Sequence, residues 1–99
     1  MSMIIIKNEA GDFAEDKDTA ARLREEVIRP IIKSQNIVEL EFSGVSLVTQ
    51  SFVHALLSDI LRSGGEDTLD FILFTHCNDS IKGIISTVVQ YSLDSLESE

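Results

Sequence analysis

Cysteine, proline and basic residues are all scarce in this chain of 99 residues, which has one Cys, one Pro, no Trp and one Tyr, with 8 Lys and Arg against 17 Asp and Glu. Each scarcity excludes something. A lone Cys77 can build neither an intrachain disulfide framework nor a four-cysteine zinc site. A formal net charge of −9, with no cluster of Lys or Arg to oppose it, argues against nucleic acid and anionic membrane surfaces as partners. The apolar run from Met3 to Ile6 is too short for a signal segment, and later apolar runs break well before the roughly 18 residues of a membrane span. Gly44 stands alone and Gly64-Gly65 follows a predicted helix, so no glycine-rich phosphate loop is present. These exclusions lead to the expectation of a soluble, cytoplasmic protein from a reducing compartment.

What remains is ordinary globular material, 43% apolar and 25% charged. At this mass a folded chain exposes about 5,600 Å² of the roughly 16,000 Å² it exposes when extended, enough burial for one real core. A single domain is expected over residues 1–93, followed by an acidic tail, 94–99, that frays.

The hydrophobic period changes several times along the chain. Met3 to Lys7 reads as a strand covered on both faces, with a turn at Asn8 to Asp12 and a short second strand at Phe13-Ala14. From Asp18 a helical stripe of Ala20, Leu23, Val27 and Ile31 appears, widened by Ile28 and Ile32 and capped by Asp16 or Asp18. Pro30 lies inside it and predicts a kink. Ile37 to Phe42 alternates, with Glu39 and Glu41 on a face that must reach water. A loop, Val45 to Gln50, leads to a helix from Ser51 to Arg62, with Ser51 as its cap and Gly64 or Gly65 as its stop. Leu69 to Thr75 reads as a central strand beneath helices on both sides, and a last helix follows Asn78 or Asp79. Strands alternating with helices of about 12 to 16 residues predict a small α/β domain with parallel neighbours. The loops at Ser43 to Gln50 and His76 to Asp79 then fall at the end of the sheet where such domains place their sites.

Catalytic chemistry finds little support. His54, His76 and Cys77 are the soft metal-ligand types, but their placement does not converge, and Cys77 reads as a small residue at the core boundary. Ser51 and His54 lie three apart on one helix side, the beginning of a small hydrolase site that still lacks an orienting group and oxyanion donors. Glu39 and Glu41 read as a solvated strand face rather than an acid–base pair. No cofactor and no metal are expected, and the domain is read as noncatalytic.

The segment Ile37 to Arg62, IVELEFSGVSLVTQSFVHALLSDILR, resembles the STAS family of sulfate-transporter and anti-sigma-factor-antagonist domains, particularly its small divergent STAS-like branch. The shared features are a hydrophobic strand, a Ser-Gly-Val turn, a polar segment containing Ser, and an amphipathic helix. Gly11 to Ile32 and Leu69 to Leu93 are similar to the flanking elements, giving about 80 residues of likeness of which about 15 are distinctive. The resemblance implies a small STAS-like domain, a mixed four- or five-stranded sheet packed with helices, without cofactor and binding another protein.

In bacterial anti-sigma antagonists the loop before this helix carries Asp, a phosphorylated Ser or Thr, Ser and Gly. Those positions fall on Thr49, Gln50, Ser51 and Phe52. Gln50 cannot accept phosphate, which leaves Thr49 and Ser51 as the flanking phosphoacceptor candidates. The resemblance therefore implies a regulatory partner such as an ATPase or kinase-like protein. Because the apolar stripes serve the core, the partner surface is expected on the loop, with Val45, Leu47, Val48 and Gln50, and on the polar side of the following helix, with His54, Ser58 and Arg62. The alternative reading is a homo-oligomeric structural or regulatory subunit with Val45, Leu47 and Val48 in a homodimer interface.

Overall fold

The computed structural model describes residues 2–97, and its elements follow the period changes of the sequence. Strand β1 is Ser2–Ile5. The apolar run does not stay extended to Lys7, because Ile6 opens a short helix, α1, Ile6–Ala10, and places its side chain wholly in the core. Gly11 ends that helix at φ 81°, a left-handed conformation that costs glycine nothing, and donates its N–H to the Lys7 carbonyl at 2.8 Å. Strand β2, Phe13–Ala14, follows as expected.

Helix α2, Lys17–Leu23, begins on Asp16, whose carboxylate accepts the Asp18 N–H at 2.9 Å. The disturbance expected near Pro30 takes the form of a π-helical turn over Arg24–Ile28, after which α3, Arg29–Lys33, carries Pro30 in its first turn. There the missing N–H of proline leaves no bond unmade. The wider turn inserts one residue into the apolar stripe: burial passes from Leu23 to Ile28, five residues on, while Val27 is only half-buried.

Strand β3 is Val38–Glu41 and β4 is Leu47–Val48. Helix α4 runs Gln50–Gly64, one residue earlier and two later than the expected limits, and stops at Gly65 with φ 71°. The apolar run from Leu69 is divided: Glu66–Phe71 forms a 3₁₀ turn and only Ile72–Thr75 becomes a strand, β5. Helix α5 spans Asp79–Glu97, with Asn78 capping it by accepting the Ile81 N–H at 2.9 Å. The acidic tail expected from residue 94 begins within the last turns of α5, and residues 98–99 lie outside the described residues.

The five strands form a three-stranded sheet in the order β1-β3-β5 and a two-stranded pair, β2-β4. All of these pairings are parallel rather than mixed, because a helical segment separates each pair of neighbours and returns the chain in the same direction. β3 therefore holds the centre that the sequence pattern assigned to β5. Ile4, Val38, Leu40 and Ile72 face the core, whereas Met3, Ile5 and Leu73 are exposed. Neither β1 nor β5 is covered on both sides, and Leu73, expected to be buried, is 42% exposed. One apolar core joins the inner sheet face to α2, α4 and α5. From α4 it takes Phe52, Val53, Leu56, Leu57, Ile60 and Leu61, and side chains of this size each stabilise the fold by about 1.5–3 kcal/mol on full burial.

Candidate interaction surface

The β3–α4 loop is fixed from three directions. At its start, Gly44 adopts φ 79°, the left-handed conformation that favours glycine, beneath the mobile end of the Lys7 side chain. In the middle, the Ser46 N–H donates to the Asp12 carbonyl at 2.8 Å, while Asn78 Nδ2 donates to the Ser46 carbonyl at 2.9 Å. At its end, the Thr49 N–H donates to the Ala14 carbonyl at 3.0 Å. The same Asn78 that caps α5 therefore ties down the loop ahead of α4.

Thr49, not Ser51, caps α4. Its backbone is extended at φ −89° and ψ 155°, and its Oγ1 accepts the Phe52 N–H at 3.0 Å. Phe52 is completely buried, so cap and core contact together set the direction of the helix. Ser51 lies two positions past the cap, within the first turn of the helix, and is exposed beside Gln50 and His54.

The structure divides the seven expected contact residues. Leu47, Gln50, His54 and Arg62 are exposed. Val45 and Val48 belong to the core, because the β2-β4 pairing turns Val48 inward with Ala14, and Ser58 is buried with its Oγ accepting from Ser92 Oγ at 3.2 Å. These three offer no free surface to a partner or to a second copy. A residue missing from the expected set is Phe13: it pairs in register with Leu47, and the two are 49% and 48% exposed. The sequence signal for it was the two-residue strand itself, whose other member, Ala14, is buried. Lys17, Gln50, Ser51, His54 and Ala55 line an open recess of about 440 Å³ at the start of α4.

No hydrogen bond joins Ser51 to His54 among the described residues; the His54 ring instead lies 6.5 Å from the Tyr91 ring at a tilt of 54°. His76 adopts a left-handed φ of 55° and turns its Nδ1 to within 3.4 Å of Glu41 Oε1. The Glu41 carboxyl is held below its usual range mainly by hydrogen bonding at Ser43, with the nearby His76 adding to the effect and partial desolvation opposing it. Burial pushes the Cys77 thiol up, with the Lys82 charge opposing it, the reverse of what an activated thiolate requires. Among the described residues, no group of three or more His, Cys, Asp or Glu side chains is placed to hold a metal ion, and no helix is long and apolar enough to cross a membrane.

The family model of the STAS-like domain of unknown function (DUF4325) matches residues 19–82, from the first turn of α2 to that of α5. No curated protein matches the chain. No solved structure matches it either. The matched span includes β3, the glycine turn, the capped loop and α4, the features on which the resemblance rested, and covers well over half of the 99 residues. The chain belongs to the family of STAS-like domains of unknown function.

Proposed function

We propose that this STAS-like domain is a noncatalytic regulatory module that binds another protein through the β2-β4 pair and the first turns of α4. The observation that carries this reading is the exposed pair Phe13 and Leu47, held in register on a loop whose backbone is already hydrogen-bonded at Ser46 and Thr49. Two half-exposed apolar side chains on a fixed backbone lose little freedom on binding, and Gln50, Ser51 and His54 supply a polar margin. An ATPase or kinase-like regulator is the partner class that the anti-sigma-antagonist likeness favours. Ser51 is the phosphoacceptor best suited to such control, because it is exposed at the N-terminus of a helix, whereas Thr49 Oγ1 is engaged as the cap. Phosphate on Ser51 would add about −1.5 to −2 charge where a helix dipole tolerates it and would change the surface a partner meets.

The test is recovery of the protein with its partner from the native host, followed by sizing of the complex and peptide mapping for phosphate. A Phe13→Asp, Leu47→Asp variant is expected to lose the partner while keeping its circular dichroism and unfolding midpoint. Partner recovery equal to that of the parent would exclude this surface. Sizing also decides the second reading, a homodimer, which would have to rest on Phe13 and Leu47 because Val45 and Val48 are core.

A further inference from the structure

The outer face of the β1-β3-β5 sheet is bare. Parallel register sets Met3, Glu39 and Leu73 in one row across it and Ile5, Glu41 and Thr75 in the next. Met3, Ile5, Leu73 and the neighbouring Ile37 are between 37% and 56% exposed, which puts four of the seven large exposed apolar side chains among the described residues on one side of the domain. A sheet face of this composition is normally covered by a second layer.

The central strand indicates what that layer carries. Glu39 is half-buried and accepts a hydrogen bond from Thr75 Oγ1 at 2.7 Å, but no Lys, Arg or His lies within ion-pair distance of it among the described residues. Its neighbour Glu41 is already engaged by Ser43 and His76. A partly desolvated carboxylate between two apolar strands matches a weakly hydrated, planar guanidinium better than any other side chain. A second copy of the chain fits poorly, since a two-fold contact across this face would bring the glutamates of both copies together. Each copy also carries a formal net charge of −9. Width is the last criterion: three strands about 4.8 Å apart span about 10 Å, the diameter of one helix.

We propose that the open sheet face docks an amphipathic helix of a protein partner that carries Arg in the middle of its apolar side, the guanidinium pairing with Glu39 and the flanking apolar residues covering Met3, Ile5 and Leu73. This surface is separate from the Phe13–Leu47 pair, and each can fail without the other.

Two synthetic helical peptides on one Leu/Ala framework, with Arg or with Glu at the central position, provide the test when titrated into the ¹⁵N-labelled full chain. The Arg peptide is expected to move the amide resonances of residues 3–5, 37–41 and 72–75, and the Glu peptide to bind at least about tenfold more weakly. Glu39→Gln is expected to remove most of that discrimination. Leu73→Lys, at an exposed position that leaves the core intact, is expected to weaken the Arg peptide by a similar factor, while the Phe13→Asp, Leu47→Asp variant binds it as the parent does. Absence of binding, resonance changes confined to another surface, equal binding of the two peptides, indifference to both Glu39→Gln and Leu73→Lys, or self-association through this face would each overturn the proposal.

Discussion

Ser92 donates a hydrogen bond to Ser58 at 3.2 Å inside the contact between α5 and α4, where both residues are almost wholly removed from solvent. Two hydroxyls in an apolar seam satisfy each other, and removal of either leaves the other without this partner. Ser58→Ala and Ser92→Ala are each expected to cost about 1–3 kcal/mol, with the double variant costing clearly less than their sum because no orphaned hydroxyl remains. Urea unfolding of the four proteins in a double-mutant cycle measures the difference.

The cap assignment separates two adjacent hydroxyl residues. Thr49→Ala removes the acceptor for the Phe52 N–H and is expected to cost about 0.5–2 kcal/mol. Ser51→Ala, at an exposed position in the first turn, is expected to stay within about 0.5 kcal/mol of the parent. Thermal unfolding checks the order, and equal losses at the two sites would return the capping role to Ser51.

Those two residues also mark what was legible in the sequence. A helix start near residue 50 followed from the apolar stripe Phe52, Leu56 and Ile60, all of which are buried. Choosing among Thr49, Gln50 and Ser51 required the cap geometry, because both hydroxyl types accept helix N–H groups. The Phe71 to Phe74 run departs from the expected burial on both faces for a different reason. Consecutive apolar residues look the same whether a strand is covered on both faces or has one bare face, and only the one-sided helix layer decides that Leu73 points outward. Ser58 is polar and so reads as part of the exposed side of α4, yet α4 is buried on more than one side and its second contact is with α5. Phe13 is legible only as half of a short strand, because two residues have no period that assigns one of them to the surface.

The acid limb of stability should pass through Glu41. Its folded pKa lies below the ordinary value of 4.5, mainly through hydrogen bonding at Ser43 and secondarily through His76. A carboxyl with a lowered folded pKa binds its proton more readily in the unfolded chain. It therefore contributes stability that is fully present above the unfolded pKa and is lost as pH falls through the folded one. Between pH 6 and pH 3 the Glu41→Gln variant is expected to lose less stability than the parent, which denaturant midpoints at several pH values will read. Parallel curves for the two proteins would remove Glu41 from the acid transition.

Two helical glycines predict opposite outcomes for the same substitution. Gly83 lies exposed in α5, and a Cβ built there meets nothing within 4 Å. Gly83→Ala should therefore act through the unfolded chain and the helix propensity alone, stabilising by about 0.5–1 kcal/mol. Gly64, the last residue of α4, faces the buried Thr68 of the 3₁₀ turn, and a Cβ there would collide with Thr68 Oγ1. Because Thr68 is enclosed, the collision must shift the turn, and Gly64→Ala is expected to destabilise by about 1–3 kcal/mol. Thr68→Ala removes the colliding oxygen and leaves the Thr68 Cβ at 3.6 Å from the new methyl, an ordinary contact. The Gly64→Ala, Thr68→Ala double variant should consequently recover part of the loss relative to the sum of the single variants. A domain of this size shifts its unfolding midpoint by about 4–8 °C per kcal/mol, so scanning calorimetry resolves both signs. Additive losses in the double variant would show that Gly64 is required for its backbone and not for the space it leaves to Thr68.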